Sequence, residues 1–257
     1  RKMGRDILAQ WLKSREVSAP LIARAISTLE KAAALGSGIK LYDANKEVYR
    51  LLRYGIKEKE GSGEHTQTVW LIDWDNFAAN DFAIAEEVSI KGEHKKRPDV
   101  VLYINGIALG VLELKRSTIS VSEGIRQNLD NQSKDFIRNF FTTMQLVMAG
   151  NDSQGLRYGT IETPERYYLE WKEASPQPTS TTQQASQEAH DELLDRHLYQ
   201  LCNKQRLLDV IHNFIVYDMG VKKTCRHNQF FGVQAAKDYL AERKNGIIWH
   251  TQGSGKS

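Results

Sequence analysis

Residues 97–115, RPDVVLYINGIALGVLELK, constrain the fold more than any other stretch of this 257-residue chain. Two apolar, β-branched runs flank Asn105-Gly106, a dipeptide that tolerates the positive φ angles of a two-residue hairpin turn. An antiparallel hairpin follows, with acids at both of its open ends. Asp99 comes directly after Pro98, and Glu113 stands two residues before Lys115, so strand alternation sets Glu113 and Lys115 on one face and turns Arg116 to the other. A plain two-residue turn would pair Ile104 with Ile107 and Asp99 with Leu112, leaving Asp99 and Glu113 on opposite faces. If the two carboxylates share a ligand, the hairpin must contain a three-residue turn with a glycine bulge, or a bulge elsewhere.

That pairing has a chemical motive. Mg²⁺ takes oxygen ligands and keeps several waters, so two carboxylates from adjacent strands plus a backbone carbonyl make a sufficient site. Such a metal activates water and stabilises charge on a phosphate, and a neighbouring lysine can hold or help deprotonate that water. Glu-x-Lys on a strand is more often a solvent-facing ion pair. Here, however, Glu113 ends the apolar run 107–112, and an ionised group in a buried strand needs a partner. Lys95, Lys96 and Arg97 stand directly before Pro98, within a stretch (91–116) of six basic and three acidic residues, and are expected to contact DNA phosphates rather than form an ordinary solvated loop.

Around the hairpin, apolar spacing predicts two short helices within 6–35, broken at Ser18-Ala19-Pro20, and a third over 44–54 with Asp43 as N-cap and Gly55 as its stop. Strands are predicted at 68–74, 81–90, 99–104 and 108–115, a helix at 121–141 and a strand at 145–149. Two more strands, 158–161 and 167–171, would extend the sheet, and long helices are predicted at 193–216 and 229–242. The fold class is α/β, a central mixed sheet flanked by helices. Residues 173–190 lack large apolar side chains and read as a linker or mobile insertion.

Bulk composition names no function. A hydrophobic share of 40% and a charged share of 26% are those of an ordinary globular protein, and a net charge of +3 does not by itself announce nucleic acid. No apolar run approaches the ~20 residues that span a bilayer, so no membrane partner is expected and cytoplasm is the default. Cys202 and Cys225 are far apart and read as inert thiols.

The last residues, GIIWHTQGSGKS, carry a buried strand at 246–249 into a glycine-rich loop. Backbone N–H groups of Gly253 and Gly255 would face phosphate, Lys256 would neutralise it and Ser257 would hold Mg²⁺. His250 stands where the first glycine of the usual phosphate loop belongs. Upstream, Arg226-His227-Asn228-Gln229 resembles the adenine-reading glutamine motif of helicase-type motors, with a plain helix-start residue at Gln229 as the competing reading.

Pro98-Asp99 and Glu113-Leu114-Lys115 resemble the PD-(D/E)xK nuclease superfamily, whose core also runs helix, three strands, helix, strand. The resemblance implies that Asp99 and Glu113 are metal ligands and Lys115 the water-orienting group, with Glu47 matching an acid that many members add from the preceding helix. The variant phosphate loop is similar to the first motif of superfamily 2 helicases. A nuclease core followed by such a motor resembles the restriction subunit of type I restriction-modification enzymes, as do Leu51-Leu52-Arg53-Tyr54-Gly55-Ile56, Asn80-Asp81-Phe82 and Asn105-Gly106. That family carries Gln-xxx-Tyr on the helix after the lysine strand. Here Gln127 matches, and Asn131 replaces the tyrosine.

Apolar spacing and composition give N-terminal helices at 1–38 and a flexible linker or insertion at 173–190, and the resemblance, which covers about 40–257, implies a nuclease domain at 39–172, a helical connector at 191–244 and the truncated start of an ATPase domain at 245–257. It further implies cleavage of duplex DNA with Mg²⁺, ATP-driven translocation by the full-length subunit, and modification and specificity subunits as partners. The chain alone is not expected to hydrolyse ATP. A stand-alone nuclease-helicase of repair or defence, or a catalytically dead docking module, are the alternatives.

Overall fold

The computed structural model describes residues 2–173 and 192–249. Its centre is the hairpin: β4 (Val100–Ile104) and β5 (Ile107–Leu114) joined by Asn105 and Gly106, both at positive φ (51° and 77°). Antiparallel β3 (Phe82–Glu86) pairs on the outer side of β4, and β5 pairs in parallel with β6 (Leu146–Asn151), which pairs with antiparallel β7 (Gly155–Gly159). The result is a five-stranded mixed sheet in the order β3-β4-β5-β6-β7. With seven α-helices among the described residues, it is the α/β core expected from the sequence.

One face of the sheet (Ile104, Ile107, Leu109, Leu112, Leu146 and Met148) packs against α1 (Arg5–Ser14), α2 (Ala19–Ala32), α3 (Leu41–Tyr54) and the C-terminal helices. On the other face, Val101, Ala108, Val111 and Val147 meet Ile137, Phe140 and Phe141, and Ala149 meets Val121 and Ile125 of α4 (Val121–Asn131). Burial of these two apolar faces is the main stabilising term. The turn is anchored by Asn105, fully buried, whose Nδ2 donates to Leu71 O and Asn80 Oδ1 while its Oδ1 accepts from Asp81 N at 2.7 Å.

Several elements depart from expectation. Helix α3 begins at Leu41, with Lys40 rather than Asp43 at the cap, because the fully buried Leu41 draws another turn into the core. Asp43 lies in the first turn, where its charge suits the helix dipole. The 68–74 strand shrinks to β2 (Gln67–Val69), paired only with β1 (Ile56–Glu58) outside the main sheet. The 121–141 helix stops at Asn131, and a 3₁₀ turn at Arg138–Thr142 turns Phe140 and Phe141 inward. Residues 167–171 make a single bridge, Leu169 to Tyr158, and no strand.

The expected 193–216 helix is two, α5 (Leu193–Cys202) and α6 (Lys204–Asn213), because Asn203 caps the second by accepting from Gln205 N and Arg206 N. A hairpin of β8 (Val216–Asp218) and β9 (Val221–Lys223) follows, then α7 (His227–Ala241). Leu201, Leu207, Leu208, Ile211 and Phe230 lie in the same core as Leu8 and Leu52, so residues expected to form a mere connector share the main core. Residues 246–249 are not a strand. Ile247, Ile248 and Trp249 are exposed, and the segment pairs with no strand among the described residues. Apart from Glu173, the 173–190 linker lies outside the described residues, as do Gly253, Gly255, Lys256 and Ser257.

Candidate active site

The hairpin register decides which acids meet. Ile104 faces Ile107 and Tyr103 faces Ala108, as a two-residue turn demands, but Leu102 then faces Gly110, a slip of one residue. From there Val101 faces Val111 and Val100 faces Leu112, which brings Asp99 opposite Glu113. The two cores show the same slip independently, since Leu109 packs on one face and Val111, two residues on, packs on the other. A bulge within the hairpin therefore resolves the parity problem posed by the sequence.

Glu113 is 0% exposed, although it carries a carboxyl group. Burial comes first among the causes that push its pKa up to about 8, followed by the charge of Asp99 and a hydrogen bond with it, while Lys115 and Lys96 pull the other way. Asp99 is half-buried, and its Oδ2 accepts from Leu114 N at 2.7 Å, which fixes it across the strand end. Gln127 links the next two members: its Nε2 donates to Glu113 Oε2 at 2.7 Å, and its Oε1 accepts from Lys115 Nζ at 2.6 Å. Asp99, Glu113, Lys115 and Gln127 thus form one connected polar cluster under α4.

Helix α4 reaches the sheet because of Gly124. A Cβ there would lie 3.0 Å from Ala149 Cβ and 3.6 Å from Glu113 Cβ. Asn128, on the same helix face, donates Nδ2 to Met148 O at 2.8 Å and ties the helix to β6. Neither residue was singled out by the sequence, although a glycine three residues before Gln127 in an amphipathic helix is a usable signal of close approach.

Glu47 stands apart from this cluster. It pairs with Arg50 on its own helix at 2.7 Å, and the ionic groups that bear on Glu113 are Asp99, Lys115 and Lys96. Among the described residues no three His, Cys, Asp or Glu side chains gather as a metal-holding group. The two acids nevertheless suit a divalent cation: they are hard oxygen donors side by side, and burial together with the charge of Asp99 pushes Glu113 toward its neutral form.

The basic run lies close to this cluster. Lys96 Nζ sits 4.0 Å from the centre of the Phe136 ring, Arg97 pairs with Glu87 at 3.2 Å, and Lys95 is exposed. Far along the chain, Gln229 is in the first turn of α7, where its Oε1 accepts from Arg226 N at 2.8 Å and so caps the helix. Burial pushes Cys202 and Cys225 up to about 12, as befits unreactive thiols. Among the described residues no helix is long and apolar enough to cross a membrane.

Known proteins resemble the chain over most of its length. The type I restriction enzyme HindI endonuclease subunit of Haemophilus influenzae is 27% identical over 260 residues, covering 95% of this chain and 24% of that protein. The type I restriction enzyme SsaAORF53P endonuclease subunit of Staphylococcus saprophyticus is 24% identical over 188 residues, covering 72% of this chain and 19% of that protein. The chain thus spans about a quarter or less of the length of these relatives. Residues 228–257 match the SWI2/SNF2 ATPase family. Residues 2–166 match the family described as the type I restriction enzyme R protein N terminus, and the chain belongs to that family.

Proposed function

We propose that this chain is the DNA-cutting part of a type I restriction enzyme's R subunit and hydrolyses phosphodiester bonds of duplex DNA with Mg²⁺. The observation that carries the reading is the slipped register that sets Asp99 opposite Glu113, with Lys115 on the same face. In this reading Asp99 and Glu113 hold the cation, which supplies Lewis acidity and positive charge beside the scissile phosphate. Lys115, kept in place by Gln127, orients the attacking water and can relay its proton. Gln127 also fixes Glu113, so one amide sets the relative position of ligand and base. Lys95, Lys96 and Arg97 contact the DNA backbone next to Asp99.

Specificity and translocation would come from the rest of the enzyme: modification and specificity subunits, and an ATP-driven motor whose phosphate loop holds Gly253, Gly255, Lys256 and Ser257, with Gln229 reading adenine. The match of residues 228–257 to an ATPase family supports that extension. The test is nicking of circular duplex DNA by the reassembled enzyme. Cleavage that requires Mg²⁺ and is lost in Asp99→Ala supports the reading; cleavage insensitive to both would defeat it, as would complete inertness of the unaltered enzyme.

A further inference from the structure

We infer that Asn131 is a positioning residue that, with Gln127, clamps both oxygens of Glu113 for the cation; this rests on the nuclease reading above. Asn131 is the last residue of α4, four positions after Gln127, so the two amides lie on one face of the helix. Gln127 Nε2 holds Glu113 Oε2 at 2.7 Å, and Asn131 Nδ2 reaches the other oxygen, Oε1, at 3.5 Å. The second contact is long, and Asn131 is 1% exposed with its Oδ1 buried and without a hydrogen-bond partner.

A buried amide oxygen left unpaired costs stability, and an isosteric leucine would remove that cost. Neighbouring groups hold the helix end in place: Gln132 Nε2 donates to Asn128 O, Gln132 Oε1 accepts from Glu162 N, and Asn131 O accepts from Ile137 N, while Asn128 Oδ1 and Ser133 Oγ are likewise buried without a partner. What sets Asn131 apart is that its amide faces the Glu113 carboxylate. A donor on each oxygen of Glu113 would fix the orientation of the carboxylate toward a cation. Partners of ligating carboxylates are worth roughly 10- to 100-fold in metal affinity.

The experiment compares Asn131→Leu with the unaltered sequence in the reassembled enzyme. Cleavage is measured against Mg²⁺ concentration, and thermal melting of the chain is measured without metal. The expected result is a half-saturating Mg²⁺ concentration raised by ~10-fold or more, a rate at saturating Mg²⁺ within ~3-fold, and a metal-free melting temperature unchanged or higher. A merely structural asparagine gives the reverse, a lower melting temperature with unchanged Mg²⁺ dependence, and that result overturns the inference. If the unaltered enzyme shows no Mg²⁺-dependent cleavage, the nuclease reading fails first. Should Asn131→Leu not fold, the unaltered chain still decides. The side-chain ¹⁵N–¹H₂ signals of Asn131 should move on addition of Mg²⁺ alone, in step with the Glu113 carboxyl carbon. Signals that stay fixed while the Glu113 carbon moves overturn the inference.

Discussion

A carboxyl group with no solvent exposure prefers to be neutral unless a positive charge answers it, and Glu113 illustrates the rule. Its folded pKa of about 8 lies above the ordinary 4.5, burial being the largest cause. The proton is therefore bound more tightly in the folded state than in the unfolded one. Its contribution to stability is complete below about 4.5 and is lost as pH rises through about 8. Without divalent metal, urea unfolding should show stability falling from pH 5 to pH 8.5, with a shallower fall in Glu113→Gln. Parallel curves for the two proteins would contradict that assignment. Two residues on, strand alternation separates Lys115, which bonds to Gln127, from Arg116, which is exposed. Lys115→Ala in the reassembled enzyme, at saturating Mg²⁺, should cut ~10² to 10³ times more slowly, whereas Arg116→Ala should cost far less. The opposite ranking would mean that the wrong cation had been assigned.

At the scale of elements, the hairpin was legible because its turn dipeptide and its two acids pose a parity problem with few solutions, and the slip between Leu102 and Tyr103 is one of them. Helix α4 was legible in place but not in length, since nothing in its polar face signals the stop at Asn131. Strand 68–74 misled because Leu71 and Ile72 are buried without being in a strand, so apolar content exceeded pairing. The long C-terminal helix was split by Asn203, an N-cap whose single-residue signal lies inside a continuous apolar period. What holds α4 down is a close approach at Gly124, and this yields a direct expectation. Gly124→Leu must displace Ala149 or lift the helix, at a cost of about 1–3 kcal/mol in denaturant unfolding. Cleavage should fall much further than stability does, because Gln127 moves away from Glu113 with the helix. Normal cleavage in a folded Gly124→Leu protein would show that the Gln127 bonds are dispensable. The basic loop makes a separate prediction: neutralising Lys95, Lys96 and Arg97 together should flatten the salt dependence of duplex binding by ~0.9 for each phosphate that the loop no longer neutralises. An unchanged slope would leave the loop merely solvated.

On the scale of the whole molecule, the C-terminal segment is fastened to the sheet through a residue that composition would place outside. Lys222 of β9 is 2% exposed, and burial drives its pKa well below that of an ordinary lysine. Its Nζ reaches Asn45 Oδ1 at 2.8 Å, Gln145 Oε1 at 2.7 Å and Met144 O at 3.1 Å, three acceptors around one buried amine. Tyr217 also donates to Asn45, Thr160 donates to Lys222 O, and Tyr158 donates to Cys225 O, so β8–β9 and the residues after it join α3, the residues leading into β6, and the end of β7. Lysine is usually a surface residue, so nothing in the residue pattern around Lys222 announces this junction. Lys222→Ala strands buried acceptors and leaves a void, and should lower unfolding free energy by about 2–4 kcal/mol. In the proposed reading the cluster falls between Asp99 and Gln127 in the sequence, and the match to an ATPase family covers residues 228–257. Cutting and ATP use should accordingly be separable by mutation. The most direct measurement introduces Glu113→Gln, a substitution that keeps shape and removes charge, into the reassembled enzyme and follows double-strand cleavage and ATP hydrolysis in the same reaction. Loss of cleavage with ATP hydrolysis retained is the expected result, and cleavage at the unaltered rate would contradict the assignment of Glu113 as a metal ligand.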